Sequence, residues 1–393
     1  GHLHAVIQAP LAVAAVVAAV AALAFVLDRR VPVLSKVGAS LLCIVFGAAL
    51  SNLGLVPASS PVYDGIGGPV TSLAIAWLLL AVNLSDVRRA GPRVVGAFAL
   101  ACAGTAVGAF VGALLFAGAF GEDGWRLAGT LAGSYSGGSV NFVAVGRALE
   151  LPDSLFAGAT AADNVTTGLW LGATLLLPVW LGRFYPAIPD ALRDPVDSPE
   201  DPVRPGADDE HHPFFARTPL STLDLAVLVA VGLGLLQAAE LLGRWTPAIP
   251  SVLWLTTLAL AVGQLSYFRK ARGAMQLGNV ALHLFFVVIG VYSRIGEILS
   301  VGVEVFFFTL VVVGVHGIVV YGVGRWAKLD VATLSVASQA AVGGPSSALA
   351  VAVSRRWRGL ILPGILVGLI GYAVGNYLGV AVGYWIRGLG IGL

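Results

Sequence analysis

Long apolar runs alternate with short polar breaks along the whole chain. The apolar segments fall at about 6–27, 37–56, 65–84, 93–119, 125–149 and 155–181, then at about 221–243, 249–267, 275–295, 300–324, 331–354 and 360–386. Most approach the roughly 20 residues that a helix needs to cross the hydrocarbon layer of a bilayer. The alternating ten-residue strands of a porin-like barrel are absent from the pattern. It predicts an all-α polytopic membrane protein. Residues 6–27 are too long for a signal-peptide core and follow no basic segment, so they read as the first span. Gly1-His2 without an initiator Met reads as a tag scar, which sets His2 and His4 aside as ligands.

Six segments precede and six follow residues 186–218, a stretch that holds 8 of the 21 acidic residues and 7 of the 20 prolines. Such a composition resists burial. The chain therefore divides into an N-terminal membrane repeat (1–185), a cytoplasmic polar linker (186–218) and a C-terminal membrane repeat (219–393). Matching features recur in order, as an internal duplication requires. The third segments end in polar turns, Asn83-Leu84-Ser85-Asp86 and Tyr292-Ser293-Arg294. The fifth segments break at glycine pairs, in Ser134-Tyr135-Ser136-Gly137-Gly138-Ser139-Val140-Asn141 and in Ser338-Gln339-Ala340-Ala341-Val342-Gly343-Gly344-Pro345-Ser346-Ser347. The sixth carry Asn164 and Asn376 inside apolar helix.

Composition narrows the class further. Hydrophobic residues make up 58% of the chain and charged ones 11%, against about 25% charged in a soluble domain. A soluble globular enzyme is excluded. The net charge of +2 offers no basic face to nucleic acid, and no zinc-finger or phosphate-cradling motif is present. Cys43 and Cys102 lie inside apolar segments and form no disulfide framework. No nucleophile, base and oxyanion hole assemble, and His211-His212 lies in the linker, so neither an enzyme nor a resident cofactor is expected.

The scarce basic residues choose between topologies, because cytoplasmic loops accumulate Lys and Arg. If all twelve segments cross, the 23 basic residues divide 12 to 11. If each fifth segment is instead a re-entrant hairpin of two half-helices, each half crosses five times. Arg29, Arg30, Lys36, Arg88, Arg89, Arg93, Arg183, Arg193, Arg204, Arg217, Arg269, Lys270, Arg272, Arg325, Lys328, Arg355, Arg356 and Arg358 then lie inside. Only Arg126, Arg147, Arg244, Arg294 and Arg387 remain outside, a division of 18 to 5. Without Arg183 and the three linker arginines it is still 14 to 5. An odd number of crossings makes the repeats antiparallel, with both termini extracytoplasmic, an arrangement common in secondary transporters. Broken fifth helices that cross are the alternative, provided another segment in each half does not.

Irregular backbone at bilayer depth is tolerated only where protein, water or solute satisfies its polar groups. Two matched glycine breaks therefore point at one shared site. The half-helices after each break start near Ser139 and Ser346, and their free amides suit a carboxylate or another small anion. Ser136, Gly137, Gly138, Ser139, Asn141, Gln339, Gly343, Gly344, Ser346, Ser347 and Asn376 form the candidate solute site. The plainer reading is that paired glycines let membrane helices pack closely. Asp163, inside an apolar helix, is an expensive residue of the kind that serves ion pathways. With Asn164 and Thr160 it is a candidate Na⁺ site or a proton carrier, or it is simply a hydrogen-bonded structural carboxyl. His283, His316, Gln276, Asn279 and Glu304 are weaker candidates.

The run Gly133-Ser134-Tyr135-Ser136-Gly137-Gly138-Ser139-Val140-Asn141-Phe142 with Ala161-Ala162-Asp163-Asn164 resembles the YjcL-like family of integral membrane proteins. So does the run from Ala337 to Pro345 with Leu362-Pro363-Gly364-Ile365-Leu366-Val367-Gly368. That family is grouped with the cation:proton antiporter and anion transporter superfamily. The glycine motif is also similar to those of bacterial sodium:glutamate and sodium:citrate symporters. The resemblance implies inverted repeats, a mobile core carrying the interrupted helices, and a scaffold that dimerises through the first helix of each half. Antiporters of the superfamily carry Asp-Asp or Asn-Asp after the first interrupted helix. Here the pair reads Asp163-Asn164, with Gly375-Asn376 as its counterpart, which suits a symporter at least as well. The expectation is a secondary transporter of a small organic anion or amino-acid-like solute coupled to Na⁺ or H⁺, a homodimer in a bacterial inner membrane. The alternatives are a monovalent cation/proton antiporter using Asp163, and a non-transporting scaffold or enzyme on a transporter fold.

Overall fold

A computed structural model describes residues 6–35, 38–193, 215–270, 273–292, 294 and 302–391. Lys36, Arg204, Arg272 and most of the linker, including His211-His212, lie outside these residues, as does the side chain of Ser346. The described residues form helices and connecting turns, with no strand. The first half comprises α1 (Pro10–Arg30), α2 (Ala39–Asn52), α3 (Pro61–Leu80), α4 (Pro92–Phe120), α5 (Gly124–Gly137), α6 (Ser139–Ala148) and α7 (Asp153–Leu181). The second comprises α8 (Thr222–Trp245), α9 (Ser251–Gly263), α10 (Ala274–Tyr292), α11 (Glu304–Trp326), α12 (Val331–Gly343), α13 (Pro345–Ser354) and α14 (Ile361–Gly388). Eight apolar helical segments among the described residues are long enough to cross a membrane. The chain is a multi-pass integral membrane protein.

Local chemistry sets several helix starts. Pro10 and Pro92 open α1 and α4, where a missing N–H costs nothing. Ser221 caps α8 by accepting from the Asp224 amide at 3.0 Å, and Asp330 caps α12 by accepting from the Thr333 amide at 2.9 Å. The shorter α2 and α9 still return the chain along their neighbours. Asp28, near the end of α1, accepts from the Ala39 amide, while Ile7 before α1 donates to the Leu55 carbonyl beyond α2. Tyr267 beyond α9 likewise donates to Asp224 at the start of α8.

Packing sorts the helices into two groups. One contains α1, α2, α3, α8, α9 and α10; the other contains α4 to α7 and α11 to α14. Few side-chain bonds bridge them. Asn376 donates to Thr256 at 2.9 Å, the Tyr377 and Thr257 hydroxyls pair, and Arg147 reaches Ser72 at 3.3 Å.

Inside the second group, backbones approach closely through glycine. Gly129, Gly133 and Gly137 of α5 lie against Gly371, Gly375, Gly379 and Gly383 of α14, and Gly104, Gly108 and Gly112 of α4 lie against α11. Lipid tails are as apolar as Leu, so membrane helices associate through close van der Waals fit, and rows of small residues permit it.

The ends of the bundle differ in their charges. Arg93 at the start of α4 lies 3.6 Å from Asp330, and Arg325 at the end of α11 donates to the Phe184 carbonyl beyond α7. At the opposite end Arg126, Arg147, Arg244 and Arg387 line a single cavity.

Candidate functional site

Two helical hairpins meet inside the second group. In the first, α5 and α6 run antiparallel, because Arg126 at the start of α5 donates to the Leu149 carbonyl at the end of α6, and Gly133 lies against Val145. The turn is Gly138, at φ +100°, a conformation that L side chains rarely adopt. In the second, α12 packs along α13 and the turn is Gly344, at φ +82°. The hairpins enter from opposite ends of α4. The base of the first follows Phe120, and the base of the second sits beside Arg93. With 14 and 13 residues in α5 and α12, each first arm extends about 20 Å at 1.5 Å per residue. The tips touch: a Cβ on Gly138 would lie 3.4 Å from Gly344.

The N-termini of α6 and α13 therefore face each other across the contact, and each opens with amides that have no intrahelical partner. Gly138, Ser139, Val140, Gly343 and Gly344 line a cleft of about 40 Å³, closed on its other side by Asn279, His283 and Phe286 of α10 and by Tyr372 of α14. It has room for a water or an ion, and a larger solute needs α10 to draw back from the tips.

Three buried polar atoms close to the tips lack partners: Ser136 Oγ, Asn141 Oδ1 and Gln339 Nε2. Their residues are all 0% exposed. Asn141 and Gln339 use their other amide atoms. Asn141 Nδ2 donates to the Tyr372 carbonyl and to Asn376 Oδ1, each at 2.7 Å, and Gln339 Oε1 accepts from Thr174 at 3.1 Å. Asn376 passes the chain on to Thr256 of α9. Ser347 sits beside Gly343. An unpaired buried polar group costs about 1–3 kcal/mol, so a partner for any of the three would be favourable; none of their residues lines the cleft itself.

Asp163 lies on α7 behind the first hairpin and is 5% exposed. Ser134 donates to it at 3.4 Å and Thr167 at 3.5 Å, both long bonds, and the Tyr135 hydroxyl is adjacent. No basic side chain pairs with it among the described residues. Thr160 is turned away, donating to the Phe156 carbonyl of its own helix at 2.7 Å. Asn164 is part-buried, and its Nδ2 has no partner. The carboxyl group thus has hydroxyls from α5 and α7 around it and no basic side chain beside it among the described residues.

His316, a weak candidate from sequence, joins the two hairpins. Its Nδ1 lies 3.0 Å from the Ala101 carbonyl and 2.9 Å from Thr105 Oγ1, and its Nε2 lies 2.8 Å from Ser338 Oγ. Thr105 donates to the Tyr135 carbonyl, and Trp170 donates to Ser338. One proton arrangement satisfies every atom: Nδ1–H donates to Ala101 and Thr105, and Ser338 donates to Nε2. No periodicity announces this hub, because its partners come from four helices. His283 bonds its own Asn279 carbonyl at 2.7 Å and lines the cleft, while Glu304 is exposed at the start of α11. We expect Ser338→Ala to cost about 1–3 kcal/mol in detergent unfolding, since it strands both His316 Nε2 and the Trp170 indole N–H.

The profile of the family described as "Protein of unknown function (DUF819)" matches residues 15–389. The chain is also similar to the Bacillus subtilis (strain 168) protein described as "Uncharacterized membrane protein YjcL". The two are 26% identical over 380 residues, covering 93% of this chain and 94% of that one.

Proposed function

We propose that this chain, which belongs to the DUF819 family, is a secondary active transporter of a small organic anion or amino-acid-like solute, coupled to Na⁺ or H⁺. The observation that carries the reading is the meeting of two opposed hairpin tips, with three unpartnered buried polar atoms around them. Two half-helix N-termini offer positive potential to an anion, as in other transporters with discontinuous helices. The halves are read as inverted repeats. In support, their helices follow the same order of long, short and hairpin elements, and their hairpins enter from opposite ends. The basic end, which holds Arg93 and Arg325, is assigned to the cytoplasm by the positive-inside rule, which puts both termini outside. The group carrying the hairpins is the moving core, and the group of α1 to α3 and α8 to α10 is the scaffold, dimerising through α1 and α8.

A second reading, cation/proton antiport, is favoured by one observation: Asp163 is buried, has hydroxyls beside it, and is paired with no basic side chain among the described residues.

The test is a thermal-shift panel of small anions with and without Na⁺, followed by uptake into proteoliposomes. A substrate at 100 times its Kd stabilises the protein by about 2.7 kcal/mol, and Na⁺ coupling makes the shift larger when Na⁺ is present. Uptake of the same solute under an imposed gradient supports symport. Cation-dependent proton movement without any solute supports antiport, and neither activity supports a non-transporting membrane scaffold or enzyme.

A further inference from the structure

A second cavity lies away from the tips, at the end of the bundle assigned above to the outside. Its volume is about 840 Å³, ample for a small-molecule site. Its walls come from both helix groups: Ser72 and Ile75 of α3 and Leu255 of α9 on one side, the base of the first hairpin and the end of α14 on the other. Four guanidinium groups face it. Arg126 pairs with Asp123, and Arg244 pairs with Glu240. Arg147 and Arg387 are exposed and have no acidic partner among the described residues, while Glu150 is the remaining carboxylate in the wall. Arg387 and Arg126 both lie over the Trp125 ring, which holds them at the rim.

One helix leads from this cavity to the tips. Ala148, Arg147 and Ala144 of α6 line the cavity, while Val140 and Ser139 line the tip cleft. Ala144 and Val140 are one turn apart on the same face, about 6 Å along the axis. We propose that the cavity is an access vestibule for carboxylate-bearing solutes, in which Arg147 and Arg387 raise the local concentration of anions and α6 guides them to the hairpin tips. The proposal rests on the transport reading above and gives it a direction of access and a sign of charge. The four arginines outnumber Glu150 and Glu240 in the wall, and an excess of one sign of charge in a cleft concentrates counter-ions, raising their arrival rates about 10- to 1000-fold where a single sign lines it.

The test reads potential rather than transport. Ala148→Cys is introduced with Cys43 and Cys102 retained, both being buried. In phosphatidylcholine proteoliposomes the new thiol is labelled from outside by sulfonatoethyl methanethiosulfonate, or by its trimethylammonium counterpart. Each rate is divided by that of a free thiol. The anionic reagent is expected to react at least about fivefold faster. Adding Arg147→Gln and Arg387→Gln should remove that preference, and Arg147→Lys with Arg387→Lys should keep it. Equal rates, a preference for the cation, or a preference that survives loss of both arginines overturns the proposal. So does a preference abolished by phosphatidylglycerol, because the cavity would then be a lipid headgroup site. If anions are preferred but no solute is transported, the anion-concentrating cavity stands while the transport reading and its access role fall; transport without anion preference overturns the vestibule alone.

Discussion

Asp163→Asn is expected to leave the protein folded and to cut gradient-driven accumulation sharply. The two side chains have nearly the same shape; Ser134 and Thr167 donate to different oxygens of the carboxylate, so the variant oxygen accepts from one of them and its amide N–H donates to the hydroxyl oxygen of the other. What disappears is the ability to carry a negative charge that a Na⁺ or a proton neutralises. A charged carboxylate at membrane depth costs about 2.5–3.5 kcal/mol on insertion scales. Removing it should therefore leave the unfolding temperature unchanged or raise it, the usual trade between stability and function. Coupling between two ligands is typically worth 1–3 kcal/mol, so accumulation at a fixed gradient should fall roughly 5- to 150-fold. Counterflow of solute at zero gradient should fall less. Full accumulation by the variant would make Asp163 a structural carboxyl, and the role of the coupling ion would have to move elsewhere.

Gly379→Leu is expected to yield little or no folded protein, while Gly314→Leu yields normal amounts. A Cβ on Gly379 would stand 2.8 Å from the Gly129 carbonyl oxygen and 2.9 Å from the Gly133 Cα, both backbone atoms of the facing helix that cannot turn aside. Overpacking in a close-packed core costs about 1–3 kcal/mol when side chains can adjust. Here two backbones must separate along the α5–α14 seam, so the cost should reach at least about 3 kcal/mol. Gly314 of α11 has open space where its side chain would be, which makes it the matched control for a leucine placed in an apolar helix. The readout is the monodisperse fraction on size exclusion together with the unfolding temperature. Equal yields from the two variants would show that the row of glycines on α14 is not what holds the first hairpin in place.

The α5–α14 seam is a feature that spacing along the chain leaves open. The glycine pairs at 137–138 and 343–344 stand out because polar neighbours surround them and they recur at matching places. The row Gly371, Gly375, Gly379 and Gly383 was equally visible as a four-residue spacing, yet spacing names no partner. Only the fold places it against Gly129, Gly133 and Gly137. Asp163 was legible because a carboxylate in an apolar helix is costly wherever that helix lies. Thr160 is near in sequence, but its hydroxyl goes to Phe156, and Thr167, one turn beyond Asp163, approaches the carboxylate instead. Both choices depend on the neighbouring helices, which leave one hydroxyl no better partner than its own backbone.

The amino-acid sequence by itself determined that this protein lives in a bilayer, that its helices fall into two sets of similar order, and where its costly polar residues lie. These properties are one-dimensional: hydropathy, helix length and the sign of loop charges act through lipid and water, which every segment meets in the same way. The tertiary structure alone decided that the two glycine turns touch, that His316 ties α4 and α12 together, and that Arg126, Arg147, Arg244 and Arg387 surround one cavity. Those juxtapositions join residues up to about 260 positions apart. They follow from how closely small residues let particular backbones approach, a property of pairs of surfaces that neither surface carries alone.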